Sequence, residues 1–282
     1  MSTDVAVADA QSPNSDAASA AEDPLLRLRG VSKHFGAVHA LVDIDLDIPA
    51  GEVTALAGDN GAGKSVLIKC IAGIHTPDSG RILWEGKPTH IRTPRDAAAL
   101  GIETVHQDLA LCDNLDIVQN MFLGREKVRR FMLAEDDMET AAGSTLRSLA
   151  VTSVRSVRQL VASLSGGQRQ SVAIAKAVLW NSKLVVMDEP TAALGVAQTA
   201  MVLKLVRRLA DRGLAVLIVS HNMNDVFDVA DRIAVLRLGH LVAVSRTAEI
   251  DAQIVVDLMT TGTSNRTTGK KTAPAGTTDV QD

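Results

Sequence analysis

Residues 58–65 read GDNGAGKS and fit the pattern GxxxxGK[ST]. The chemistry that such a loop performs is the holding of a polyphosphate. Gly58, Gly61 and Gly63 permit a tight turn, and Asp59, Asn60 and Ala62 complete a loop whose backbone N–H groups cradle phosphate oxygens. Lys64 is placed to reach the β and γ oxygens, and the Ser65 hydroxyl to bind Mg²⁺. A second motif, the acidic pair Asp188 and Glu189, follows the apolar run in LVVMDEP. By itself that pair reads equally well as a solvated turn. Beside a phosphate loop it gains a purpose: Asp188 serves the metal and Glu189 orients the attacking water. Two further residues follow apolar runs in the same way, Gln107 after IETV and His221 after LAVLIVS. Alone, each reads as a polar residue at a strand end. If their strands are parallel to the one carrying Asp188, both arrive at the same edge, His221 as a γ-phosphate contact. Residues 164–168, LSGGQ, open a helix with paired glycines, which suits a second close approach to an anion.

The elements that must carry these residues are legible in the hydrophobic pattern. VTALAG (53–58), LVVMD (184–188) and LAVLIVS (214–220) are continuous apolar runs separated by helix-length segments, the pattern of buried parallel strands. LLRLRGVSKHF (25–35) and ALVDIDLDIP (40–49) alternate apolar with polar, which predicts half-buried antiparallel strands. Residues 108–165 have mostly helical patterns and no strong buried strand, so a helical insertion in an α/β core is expected there. RIAVLRLGHLVAV (232–244) reads as a hairpin around Gly239, followed by a helix.

Bulk properties exclude several classes. With 282 residues, 46% apolar and 22% charged, the chain is expected to form one core domain, 24–262, between polar tails at 1–23 and 263–282 read as disordered. A net charge of −4 gives no reason to expect either nucleic acid or an anionic membrane as a partner. The basic clusters at 125–130 and 206–212 read as solvated helix faces. Cys70 and Cys112 lie in apolar surroundings without metal-ligand spacing and read as packing residues of a reduced compartment. No run approaches the roughly 20 apolar residues that span a bilayer, so a membrane role requires a partner.

Taken in order, GDNGAGKS, Gln107, LSGGQ, LVVMDEP and His221, with a helical segment between Gln107 and LSGGQ, resemble the nucleotide-binding subunit of ATP-binding cassette transporters over about residues 25–262. The resemblance implies a P-loop NTPase fold of class α/β: a RecA-like parallel-sheet core, an N-terminal antiparallel β subdomain and a helical subdomain. It implies ATP and Mg²⁺ as cofactors and an ATP-bound homodimer, in which Ser165, Gly166, Gly167 and Gln168 of one chain close over the nucleotide on the other's loop. Phe35 falls where that family stacks an aromatic ring on adenine. Gln107 falls on the glutamine that touches Mg²⁺ and senses transmembrane permease subunits. The segment 108–126 matches the surface that receives the permease, although an amphipathic helix against the core explains the same pattern.

A finer likeness, in MDEPTAALGVAQ, VSHNMNDVFDVADRIAVLRLG and NMFLGRE, is to single-cassette bacterial monosaccharide importers of the fructose type. This implies an ATP hydrolase at the cytoplasmic face of the cell membrane, supplied by an extracytoplasmic sugar-binding protein. Gly195 stands where most cassettes have aspartate, a departure shared with the sugar-import group. A non-sugar cargo and a soluble non-transport ATPase remain open at this point; with Lys64, Asp188, Glu189 and His221 all present, a catalytically dead regulator is disfavoured.

Overall fold

The computed structural model describes residues 23–263. The expected tails therefore fall outside the described residues, apart from Asp23 and Thr263.

The alternating segments form β1 (Leu26–Phe35) and β2 (Val38–Ile48), paired antiparallel. Their apolar faces, including Leu26, Leu28, Ile44 and Leu46, are buried while the intervening carboxylates and guanidiniums stay outside. β3 (Val53–Ala57), buried at every position, runs into the phosphate loop and α1 (Lys64–Ile71). β4 (Ser79–Trp84) and β5 (Lys87–Thr89) extend the first sheet in the order β2-β1-β4-β5. α2 (Pro94–Leu100) is opened by a reciprocal cap between Thr93 and Asp96 and closed by Gly101, after which β6 (Ile102–Val105) enters the second sheet.

The stretch expected to be helical is so only in part. It holds α3 (Ile117–Phe122), a two-residue-strand hairpin of β7 (Val128–Arg129) and β8 (Met132–Leu133), and α4 (Glu135–Ser148). From Leu149 to Leu164 there is only one short 3₁₀ turn, Val161–Ser163. Ala150 is left-handed, and the sequence VTSVRSV that follows is rich in β-branched and serine residues, which hold a helix poorly.

α5 (Gly166–Val178) leads to β9 (Leu184–Asp188), then α6 (Val196–Asp211), β10 (Ala215–Val219), α7 (Met223–Val229), β11 (Arg232–Arg237), β12 (His240–Arg246) and α8 (Ala252–Thr261). The six-stranded sheet has the order β12-β11-β3-β10-β9-β6, parallel except for the edge strand β12. The β11–β12 turn, Leu238–Gly239, is left-handed at both residues, as a two-residue hairpin requires.

Register decides where the chemistry lies. Val219 pairs with Asp188 and Val105 with Met187, so β6, β9 and β10 end level with one another. Gln107, Glu189 and His221 are thereby delivered to one carboxyl edge of the sheet, where ligands of open α/β sheets bind.

Candidate nucleotide site

The phosphate loop is shaped by close approach. Gly63 has φ of 108°, and a Cβ there would meet the Ala40 carbonyl oxygen at 2.5 Å. Gly61, at φ 81°, faces open space instead. Gly63 is also the N-cap of α1 and offers no side-chain cap, so the helix start keeps backbone donors directed at the loop's interior. Lys64 is 8% exposed, and its ammonium donates to the carbonyls of Gly58 at 2.6 Å and Asp59 at 2.9 Å. Burial holds its pKa below the ordinary lysine value, while Glu189, Asp59 and Asp188 pull the other way.

Lys64, Ser65, Gln107, Asp188 and Glu189 line one cleft of about 370 Å³ together with Asn60, Gly61 and Gly63. The residue set fits a metal–polyphosphate ligand. It brings the Ser65 hydroxyl, the Gln107 amide and the partly buried Asp188 carboxylate to uncapped helix donors, and no cluster of three or more His, Cys, Asp or Glu residues among the described residues would hold a metal without the phosphates. The Asp188 carboxyl is pushed above the usual aspartate range by burial and by the adjacent Glu189 charge.

Glu189 sits in the left-handed region at φ 49°, held by its backbone N–H donating to the Val219 carbonyl at 2.9 Å. Its carboxylate meets His221 Nδ1 at 2.9 Å. Thr191 and Asp225, which the motifs did not single out, tie the chain after Glu189 to α7 by a hydroxyl–carboxylate bond, with Asp225 buried. The only sequence signal for that tie was Asp225 four residues after His221.

Phe35 ends β1 exposed to solvent, edge-on to His75 at 5.2 Å between ring centroids. The lining of the cleft beside it is supplied by the next strand, through Val38, His39 and Ala40. His39 is exposed on the rim of that cleft. Nothing in the local pattern marked it, because its place depends on β2 crossing the loop.

Ser165 and Gln168 form a reciprocal cap on α5: Gln168 N–H donates to Ser165 Oγ at 3.4 Å, and Ser165 N–H to Gln168 Oε1 at 2.9 Å. The Gln168 amide also donates to the Ser153 carbonyl, so both its oxygen and its nitrogen are engaged within the chain. Gly166 and Gly167 lie close against Leu194, Gln198 and Met201; a Cβ on Gly167 would stand 3.0 Å from the Gln198 Cβ. Residues 165–168 are absent from the lining of the phosphate cleft in their own chain.

The basic cluster at 206–212 also departs from the expected solvated face. Arg207 pairs with Asp231 at 2.7 Å and Asp211 at 2.9 Å, and Arg208 and Arg212 donate to the carbonyls of Leu149 and Ser148 at the end of α4.

A phosphate loop on a parallel sheet, with carboxylates at the neighbouring strand ends, defines a nucleotide-binding α/β domain. Residues 41–192 match the family model "ABC transporter", and the chain belongs to that ATP-binding cassette family as an ATPase. It is 46% identical to the xylose/arabinose import ATP-binding protein of Sulfolobus acidocaldarius, over 84% of this chain and 94% of that one. It is 45% identical to the fructose import ATP-binding protein of Rhizobium meliloti, over 85% and 95%. A ribose import ATP-binding protein of Escherichia coli O157:H7 is 40% identical, matching 84% of this chain and 46% of its own length. Among solved structures, an ABC transporter cassette in its ADP conformation is similar with a TM-score of 0.72 and 26% identity, covering 84% of this chain and 95% of that one. A cassette from an ABC transporter complex of Clostridium perfringens has a TM-score of 0.72 and 28% identity, with 86% and 97% covered.

Proposed function

We propose that this chain is the ATP-hydrolysing subunit of a monosaccharide importer, working as a homodimer beneath permease subunits at the cytoplasmic face of the membrane. The observation that carries the sugar reading is the 45–46% identity, over at least 94% of their lengths, to proteins named for pentose and fructose import. Among the described residues no helix is long and apolar enough to cross a membrane, so contact with the cargo path falls to a partner.

In this reading the 58–65 backbone and Lys64 bind the β and γ phosphates of ATP, and Lys64 exchanges its two loop carbonyls for phosphate oxygens. Ser65, Asp188 and Gln107 are the residues that would hold Mg²⁺, which neutralises charge developing between the β and γ phosphates. Glu189 accepts a hydrogen bond from the attacking water and orients it in line with the γ phosphate. His221, bonded to Glu189, fixes that carboxylate and faces the γ phosphate. The aromatic face of Phe35 stacks on adenine. Ser165, Gly166 and Gly167 of the second chain approach from the other side, with the α5 dipole directed at the phosphate and Gln168 holding the turn in shape.

The test is uptake. A strain lacking this chain should lose import of one labelled monosaccharide among xylose, ribose and fructose, and Glu189→Gln should fail to restore it while wild type does. Unchanged uptake of all three, with ATPase activity intact in the purified protein, would remove the sugar reading and leave the ATPase.

A further inference from the structure

The chain that leads into the LSGGQ turn is zipped to the loop that follows Gln107. Val118 N–H donates to the Val157 carbonyl at 3.2 Å, Ile117 N–H to that of Gln159 at 3.2 Å, Val161 N–H to that of Leu115 at 3.1 Å and Ala162 N–H to that of Asp113 at 3.0 Å. Asp116 and Leu160 form an antiparallel bridge between the two segments. The loop side of this seam is fixed by a buried amide. Asn120 donates through Nδ2 to the carbonyls of Cys112 at 2.9 Å, Leu115 at 3.2 Å and Asp116 at 3.0 Å, and its Oδ1 accepts from Cys112 N–H at 2.7 Å. Both polar ends of that amide are engaged, and the 112–116 turn is built around it.

One side chain closes the seam at the LSGGQ end. Arg169 is the fourth residue of α5, near the positive end of the helix dipole, where a cation is disfavoured. Its guanidinium turns to the seam: Nε donates to the Leu164 carbonyl at 3.3 Å, Nη2 to the Ala162 carbonyl at 3.2 Å, and Nη1 stands 3.1 Å from the Asp113 carboxylate. Asp113 and Ala162, already joined through the backbone, are joined again through Arg169. Asp113 is exposed, so the ion pair adds little stability. What it adds is geometry. A planar fork reaches both sides of the seam at once, and with all three nitrogens engaged it is not free to act as a phosphate ligand.

We propose that Arg169 is a positioning residue: it clamps the LSGGQ turn to the Asp113 loop, so that the place of this loop sets where Ser165 and Gly166 meet a second chain's nucleotide. The inference rests on the reading in which residues 165–168 serve the other chain's ATP. Ser165 and Gln168 set the shape of the turn, and Arg169 its place.

The test is phosphate release by the purified full-length chain. Arg169→Gln should lower kcat about tenfold, from a misplaced turn, with KM for ATP changed less than about twofold, because the phosphate loop is untouched. Arg169→Lys should not restore the rate, since an ammonium cannot hold a carboxylate and two carbonyls at once. Asp113→Asn, which keeps the carbonyl bonds, should lower kcat only about two- to threefold. Mixing separates positioning from a damaged fold. In equal mixture with Lys64→Ala, about half of the dimers pair the Lys64 of the Arg169→Gln chain with an intact LSGGQ turn, and activity should reach about a quarter of wild type. An Arg169 that served its own chain's site would leave the mixture at about a twentieth, below the variant alone. An unchanged kcat, full rescue by lysine or a mixture at that lower level would each overturn the clamp. Gly166→Asp in the same mixture tests the reading beneath it: if that pair recovers and Arg169→Gln does not, only the clamp falls, and if neither recovers, the shared site falls with it.

Discussion

Lys64 and Asp188 are both held at a disadvantage by burial, one as a cation and one as an anion, in a cleft built for a ligand that carries the compensating charges. The sign for Asp188 follows from its raised pKa. Its contribution to stability is present below the unfolded aspartate value of about 3.9 and is lost as pH rises through the higher folded value. Asp188→Asn should therefore raise the thermal midpoint of the nucleotide-free protein at neutral pH, a gain that should vanish at about pH 4. The same change should lower kcat for ATP by at least about a hundredfold, because a carboxylate that would hold Mg²⁺ is gone. An unchanged midpoint at neutral pH would contradict the burial argument. The thiols give a second check at this scale. Burial pushes the Cys70 thiol up to about 11, while Cys112 is half-buried, so a maleimide at pH 8 should label Cys112 alone in the native protein, and both cysteines in denaturant. The meeting of Lys64, Asp188 and Glu189 in one cleft, with His221 bonded to Glu189, was legible because local spacing sets them in a phosphate-loop pattern and after apolar strand runs. His39 and the Thr191–Asp225 bond were not, since each depends on two elements meeting that lie far apart in sequence.

Positioning of the site depends on joints between elements. Asp225 anchors Thr191, and the two segments so joined carry Glu189 and His221 at 2.9 Å from each other. Asp225→Ala should loosen that pair and reduce kcat roughly tenfold with little change in the KM for ATP, because the phosphate loop is untouched. A loss confined to KM would point to a different role. At the other joint, Arg208 and Arg212 of α6 reach the carbonyl end of α4, satisfying acceptors that the helix leaves unpaired. Replacing both by alanine should cost about 1–2 kcal/mol in urea denaturation, since these bonds are charge-assisted but partly solvated. In sequence this cluster looked like any solvated face, because charge pattern names a cation and not its carbonyl partner. The β7–β8 hairpin was hidden for another reason: two-residue strands are too short for periodicity to register. The parallel strands were plain in their apolar runs, whereas the end of α4 at Ser148 was set by the poor helix formers that follow it.

At the scale of the whole molecule, the phosphate cleft and the LSGGQ turn belong to one reaction in the proposed function yet occupy separate surfaces of the chain. A second copy completes each site, and a two-fold pair completes both at once. This predicts complementation between two inactive chains. Lys64→Ala removes the phosphate cation. Gly166→Asp places a carboxylate in the first turn of α5, where the helix dipole tolerates it, so the fold should survive while a partner's γ phosphate is repelled. Each variant alone should be inactive. In a mixed dimer, one site joins both defects and the other joins wild-type Lys64 to a wild-type LSGGQ turn. Equal mixing makes about half of the dimers mixed, each with one intact site of two, so ATPase activity should return to about a quarter of wild type if the sites act independently. The assay is phosphate release from the mixture against each variant at the same total concentration. Activity no greater than that of the separate variants would mean that the sites are not shared in this way, and residues 165–168 would then act through their own chain's contacts with Leu194 and, on α6, Gln198 instead.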